Sequence, residues 1–120
     1  MTGVQERFRD LLAHQVVMTE DTWAVLIREG LTEETEVRLD FAYRAPSRAD
    51  ANALAEYLRL ETDYEVNIAE SSTGCVVEGS TQKTTINPDV LDQWVRWMVI
   101  AGYKNGQCEF DGWGTFVPEQ

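Results

Sequence analysis

Apolar residues return along this chain with two periods, and the switches between them mark its elements. Over residues 4–14, Val4, Phe8, Leu11 and Leu12 recur at helical spacing and predict a short amphipathic helix. A second short helix is predicted over 22–29, with Trp23, Leu26 and Ile27 on one side and Gly30 as its stop. The pattern then alternates. Over 36–43, Val37, Leu39, Phe41 and Tyr43 face one way and Glu36, Arg38 and Asp40 the other, as in a half-buried strand. After Pro46, Ser47 is placed to cap a helix with Asp50 at the capping-box position, and Ala51, Leu54, Ala55 and Leu58 form its apolar stripe. Alternation resumes over 63–69 through Tyr64, Val66 and Ile68. Cys75 and Val77 continue it over 73–85 after the turn-like run 70–74, which predicts a hairpin. Asn87 followed by Pro88 is a strong helix start, because asparagine caps free amides and proline at the first position gives up no needed donor. The helix expected over 88–101 carries Leu91, Trp94, Val95 and Met98 on one face and stops at Gly102 or the turn at 104–106. A last strand is predicted over 107–117, ending near Pro118, with the glycines around Trp113 marking a bulge or close backbone approach.

A helical preface at 1–30 is thus followed by a β-α-β-β-α-β order over 35–117. That is the signature of the α+β ferredoxin-like split β-α-β arrangement, an antiparallel sheet with two helices on one face. With 120 residues and no repeat, low-complexity stretch or long linker, the chain reads as one domain around one core.

The residues that alternate away from the helices are Glu36, Arg38, Asp40, Glu65, Asn67, Val76, Glu78, Glu109 and Asp111, and most are acidic. Charge enlarges the picture. Acidic residues outnumber basic ones 21 to 10 and leave a net charge of −11, a field that repels phosphate backbones and anionic lipid and attracts basic protein segments. A sheet face that binds RNA on this fold would carry stacking aromatics beside bases, so direct nucleic-acid binding is not expected. A basic protein surface is the partner the charge favours, although a solvated sheet face is also simply charged; the alternative is that the helical preface covers part of it. No apolar run is long enough to span a bilayer. The first residues mix acids with bases where a signal peptide has an apolar block, so no membrane association and a cytoplasmic location are expected.

Chemistry finds little support. The lone His14 falls on a helix, far in sequence from both Cys75 and Cys108, and neither cysteine has metal-like spacing. The thiols read as reduced core residues, and no catalytic residue, metal site or cofactor is expected. Of the four tryptophans, Trp94 belongs to a core stripe, Trp23 docks the preface onto the body, and Trp113 folds over the sheet edge. Trp97, beside its stripe, is the candidate anchor for a partner.

The run Glu109-Phe110-Asp111-Gly112-Trp113-Gly114-Thr115, following a helix capped by Asn-Pro-Asp, resembles the regulator of ribonuclease E activity B family. The resemblance extends more weakly over 35–117 and the helix ending in Gly30. It implies a ferredoxin-like fold and, for the best-known branch, inhibition of ribonuclease E by binding the regulatory, partly disordered portion of that endonuclease, without catalysis. The family's tail motif maps onto Asp111, Gly112, Trp113 and Gly114. The candidate partner-binding residues are therefore Glu65, Glu78, Trp97, Glu109, Asp111 and Trp113. The expectation is a small acidic regulatory protein. The alternatives are an immunity or antitoxin-like inhibitor of a toxin, which the partner's identity separates, and a small hydrolase or ligand-binding domain, which needs a pocket of convergent polar groups.

Overall fold

The computed structural model describes residues 2–72 and 74–117, apart from the side chains of Thr2, Val4 and Ser71. The Val4 side chain, Thr73 and Pro118, which entered the expectations above, therefore lie outside the described residues. Within them the chain is a mixed α+β structure of three helices and antiparallel sheets.

The two short amino-terminal helices are one: α1 (Thr2–Arg28) runs unbroken through 15–21, a stretch with no glycine or proline to stop it. Its end was legible. Gly30 adopts a left-handed φ of 104°, its amide bonds the Ile27 carbonyl at 3.1 Å, and that of Leu31 bonds the Leu26 carbonyl at 3.0 Å, a Schellman close with its usual apolar contact between Leu26 and Leu31.

The expected strand over 36–43 is also divided, into β1 (Glu36–Val37) and β2 (Asp40–Ala45). The helix α2 (Arg48–Glu61) starts where Ser47 accepts from the Asp50 amide at 3.2 Å, and it buries Ala51, Leu54, Ala55 and Leu58 completely. A hairpin follows, β3 (Glu65–Ser71) with β4 (Gly74–Ser80), and then the short β5 (Thr84–Thr85), so the run over 73–85 is two strands as well. Both divisions have one cause. Between the pairs Asp40↔Ser80 and Val37↔Thr84 one side has two residues and the other three, and an extra residue bends a ribbon as a bulge does. Thr81 holds the bend, its hydroxyl accepting from the Leu39 amide at 3.0 Å and its own amide donating to the Leu39 carbonyl at 2.9 Å. Helix α3 (Pro88–Lys104) begins with the Asn87 side chain on the Val90 amide at 2.9 Å and runs past Gly102 to Asn105 and Gly106. The final strand, β6 (Glu109–Gly114), is shorter than the span 107–117.

Strands lie in the order β3-β4-β2-β6, all neighbours antiparallel, with β1-β5 as a separate two-stranded piece. One face of the larger sheet, through Phe41, Tyr43, Val77 and Phe110, packs with Leu54 and Leu58 of α2 and Val95, Met98 and Val99 of α3. Tyr43 sits at the centre, fully buried, its hydroxyl donating to the Met98 carbonyl at 2.7 Å. Leu26, Leu31, Val37, Leu39, Ile86 and Leu91 form a second cluster under the β1-β5 ribbon, with Trp23 of α1 against it, the docking expected of that tryptophan. The rest of α1 lies beside α3 and along β6, where Gln15 donates to the Phe110 carbonyl at 3.2 Å and covers an otherwise open sheet edge.

Candidate functional site: the open sheet face

Cross-strand register decides which side chains share the other face of the sheet. Rows of directly opposed residues run Glu65, Ser80, Asp40, Gly114; then Asn67, Glu78, Ala42, Gly112; then Ala69, Val76, Arg44, Glu109. Neither α2 nor α3 covers these rows, and Asp40, Arg44, Glu65, Asn67 and Glu78 are exposed. Asp111 joins them as the extra residue where the register between β2 and β6 slips next to Ala42 and Tyr43.

Four of the six sequence-derived candidates therefore meet: Glu65, Glu78, Glu109 and Asp111, with Asp40 as a fifth carboxylate. Their charge is partly balanced. Arg44 stands 3.4 Å from Glu109 and 3.5 Å from Asp111, Arg7 of α1 pairs with Glu109, and Arg38 reaches Glu65 at 3.0 Å. Three guanidiniums against five carboxylates leave an excess of two negative charges, with Glu78 in no ion pair among the described residues. Exposed pairs of this kind contribute little to stability, but they fix where the field is strongest. Asp40 accepts from the Ser80 hydroxyl at 2.6 Å.

Two candidates lie elsewhere. Trp97 is 37% exposed on the outer side of α3, stacked on Tyr57 of α2 at 6.1 Å, so it shares no surface with the carboxylates. Trp113 faces the helices. Plain alternation from Phe110 would turn it outward, but the extra residue Asp111 restores it to the side of Phe41, its partner in register. Its indole nitrogen donates to Thr19 of α1 at 3.0 Å and its ring meets Trp94 edge-on. The site differs from expectation at its other end too, because Glu36 and Arg38 belong to the bent ribbon and its hinge, outside the four-stranded sheet.

Sequence reasoning missed the groove of about 410 Å³ where α1 passes the sheet, lined by Gln15, Met18 and Thr22 on one side and Asp40, Ala42, Asp111, Gly112 and Trp113 on the other. Its one signal was polar residues, Gln15 and Thr19, at buried positions of α1. The groups with chemical potential do not converge there. His14 is exposed on α1, and both cysteines are buried and free. Burial, reinforced by the Asp50 charge, pushes the Cys108 thiol up to about 12, far from the thiolate needed for attack. Among the described residues no group of three or more His, Cys, Asp and Glu side chains could hold a metal ion, and no helix is long and apolar enough to cross a membrane. Set against known proteins, the chain matches no family model and no curated sequence.

Proposed function

We propose that this chain is a non-catalytic regulatory protein that binds a basic segment of another protein on the open face of its sheet. One observation carries the reading: carboxylates from all four strands of the larger sheet, Asp40, Glu65, Glu78, Glu109 and Asp111, stand on the one face that α2 and α3 leave bare. A field of that sign speeds encounter with a cationic partner and selects against anionic ones. We also propose that the body is the ferredoxin-like split β-α-β arrangement. Its support is the strand order β3-β4-β2-β6 with antiparallel neighbours and α2 and α3 on one face. The resemblance of residues 109–115 makes the regulatory portion of a ribonuclease E-type endonuclease the first partner to test.

The test is a titration of that purified portion with the intact chain, followed by fluorescence anisotropy at several salt concentrations. Binding is expected at low salt, weakening as charges are screened, and lost when Glu65→Lys and Glu78→Lys are combined. Absence of binding at low salt removes ribonuclease E as the partner. Equal binding by the charge-reversed chain removes the open face as the surface.

A further inference from the structure

In the groove between α1 and the sheet three donors are already taken, while several acceptors are not. The Gln15 amide nitrogen is held by the Phe110 carbonyl, the Thr22 hydroxyl donates to the Met18 carbonyl at 2.9 Å, and the Trp113 indole is taken by Thr19. Several acceptors remain. Among the described residues no donor reaches the Gln15 side-chain oxygen, and that atom is open to solvent. That oxygen lies 4.0 Å from where a β-carbon on Gly112 would stand, so the missing side chain leaves the way to it open. Asp40 and Asp111 supply carboxylates on the same lining, and among the described residues Asp111 is tied only by the long, exposed contact to Arg44. Met18, Ala42 and Trp113 give apolar walls.

The groove thus sets open acceptors beside apolar walls, and a group that complements it brings several N–H donors, a positive charge and an aliphatic stem. Ammonium offers three donors around a compact, strongly hydrated point, whereas guanidinium offers five in a planar fork and loses less on desolvation. We infer, on the reading of the open face as a docking surface, that this groove seats an arginine side chain of the basic partner segment. Its fork lies between the Gln15 oxygen and the two aspartates, and its stem runs along Met18 and Ala42. The same charge displaces Arg44 from Asp111.

The experiment is a titration of the isotopically labelled full chain with the capped tripeptides Gly-Arg-Gly and Gly-Lys-Gly at low ionic strength, read by NMR. The arginine peptide is expected to move the Gln15 side-chain amide, the Gly112 amide and the Trp113 indole, and to bind more tightly than the lysine peptide. Asp40→Asn combined with Asp111→Asn is expected to weaken it about tenfold, and Glu65→Gln with Glu78→Gln by less than about twofold. Shifts confined to Asn67 and Glu78, with the groove resonances still, would overturn the arginine seat while leaving the open face as the docking surface. No shift anywhere would overturn the seat as well, and the salt-dependent titration of the partner then judges the wider reading separately.

Discussion

Gly102→Ala sets two effects of opposite sign against each other. In an exposed helix the change to alanine stabilises by about 1 kcal/mol, because glycine loses more backbone entropy on folding. Gly102 instead packs directly against the Tyr43 ring of the sheet. A β-carbon there would stand 2.8 Å from Cε2 and 3.1 Å from Cδ2 of Tyr43 and overlap the Cys108 carbonyl oxygen. Neither neighbour can yield: the Tyr43 ring is fully buried with its hydroxyl on Met98, and the Cys108 amide is tied to the Gly102 carbonyl at 2.9 Å. Overpacking costs about 1–3 kcal/mol, and with backbone as the obstacle the upper end applies. The net loss is about 2 kcal/mol, or roughly 8 °C in Tm. Urea unfolding followed by tryptophan fluorescence measures it, with Gly3→Ala, which meets nothing within 4 Å, as the reference expected to lose no stability. A Gly102→Ala chain as stable as its parent would refute the close packing of α3 on Tyr43.

Other substitutions test separate links. Ser47→Ala removes the acceptor for the Asp50 amide and is expected to cost about 1 kcal/mol in the same assay. Trp113→Phe deletes the bond to Thr19. It is expected to cost about 1 kcal/mol and to raise hydrogen exchange in α1 more than in α2; uniform exchange would mean that the bond does not anchor the helix. The Cys108 thiol, raised by burial from 9.0 to about 12, keeps in the folded state a proton that the unfolded state releases. Its contribution is complete below pH 9 and is lost as pH rises toward 12. Cys108→Ala is expected to flatten part of that alkaline decline, with Tyr43 and Tyr64, also raised by burial, supplying the rest. An unchanged slope in alkaline urea titrations would count against it.

The elements legible in the sequence were those whose cause is local. Ser47, Asn87 and Pro88 announce helix starts by their own hydrogen bonding, and the stripes of α2 and α3 face a core that needs nothing but apolar surface. α1 was harder, because its buried face is polar where Gln15 and Thr19 meet groups more than ninety residues away. The division of the first strand leaves no trace in the alternation, since Val37, Leu39, Phe41 and Tyr43 are all buried and merely serve two different clusters. At the site, the open-face carboxylates followed from alternation alone. Trp113 did not, because one extra residue inverts everything after it, and the glycines flagged the bulge without saying which residue it displaced.

Gln15 and Thr19 lean on Phe110 and Trp113, which are 95 and 94 residues further along the chain. A ribosome makes the two halves of that contact in the worst order. While synthesis proceeds, α1 emerges first with its polar anchors unanswered, and α2, the hairpin and α3 can form around residues already made. Only when β6 appears does the helix acquire its seat, so closing this long loop is a late event in assembly. Until then the freshly made helix, with Val17, Met18 and Val25 partly bare even in the finished fold, is the segment most in need of shelter.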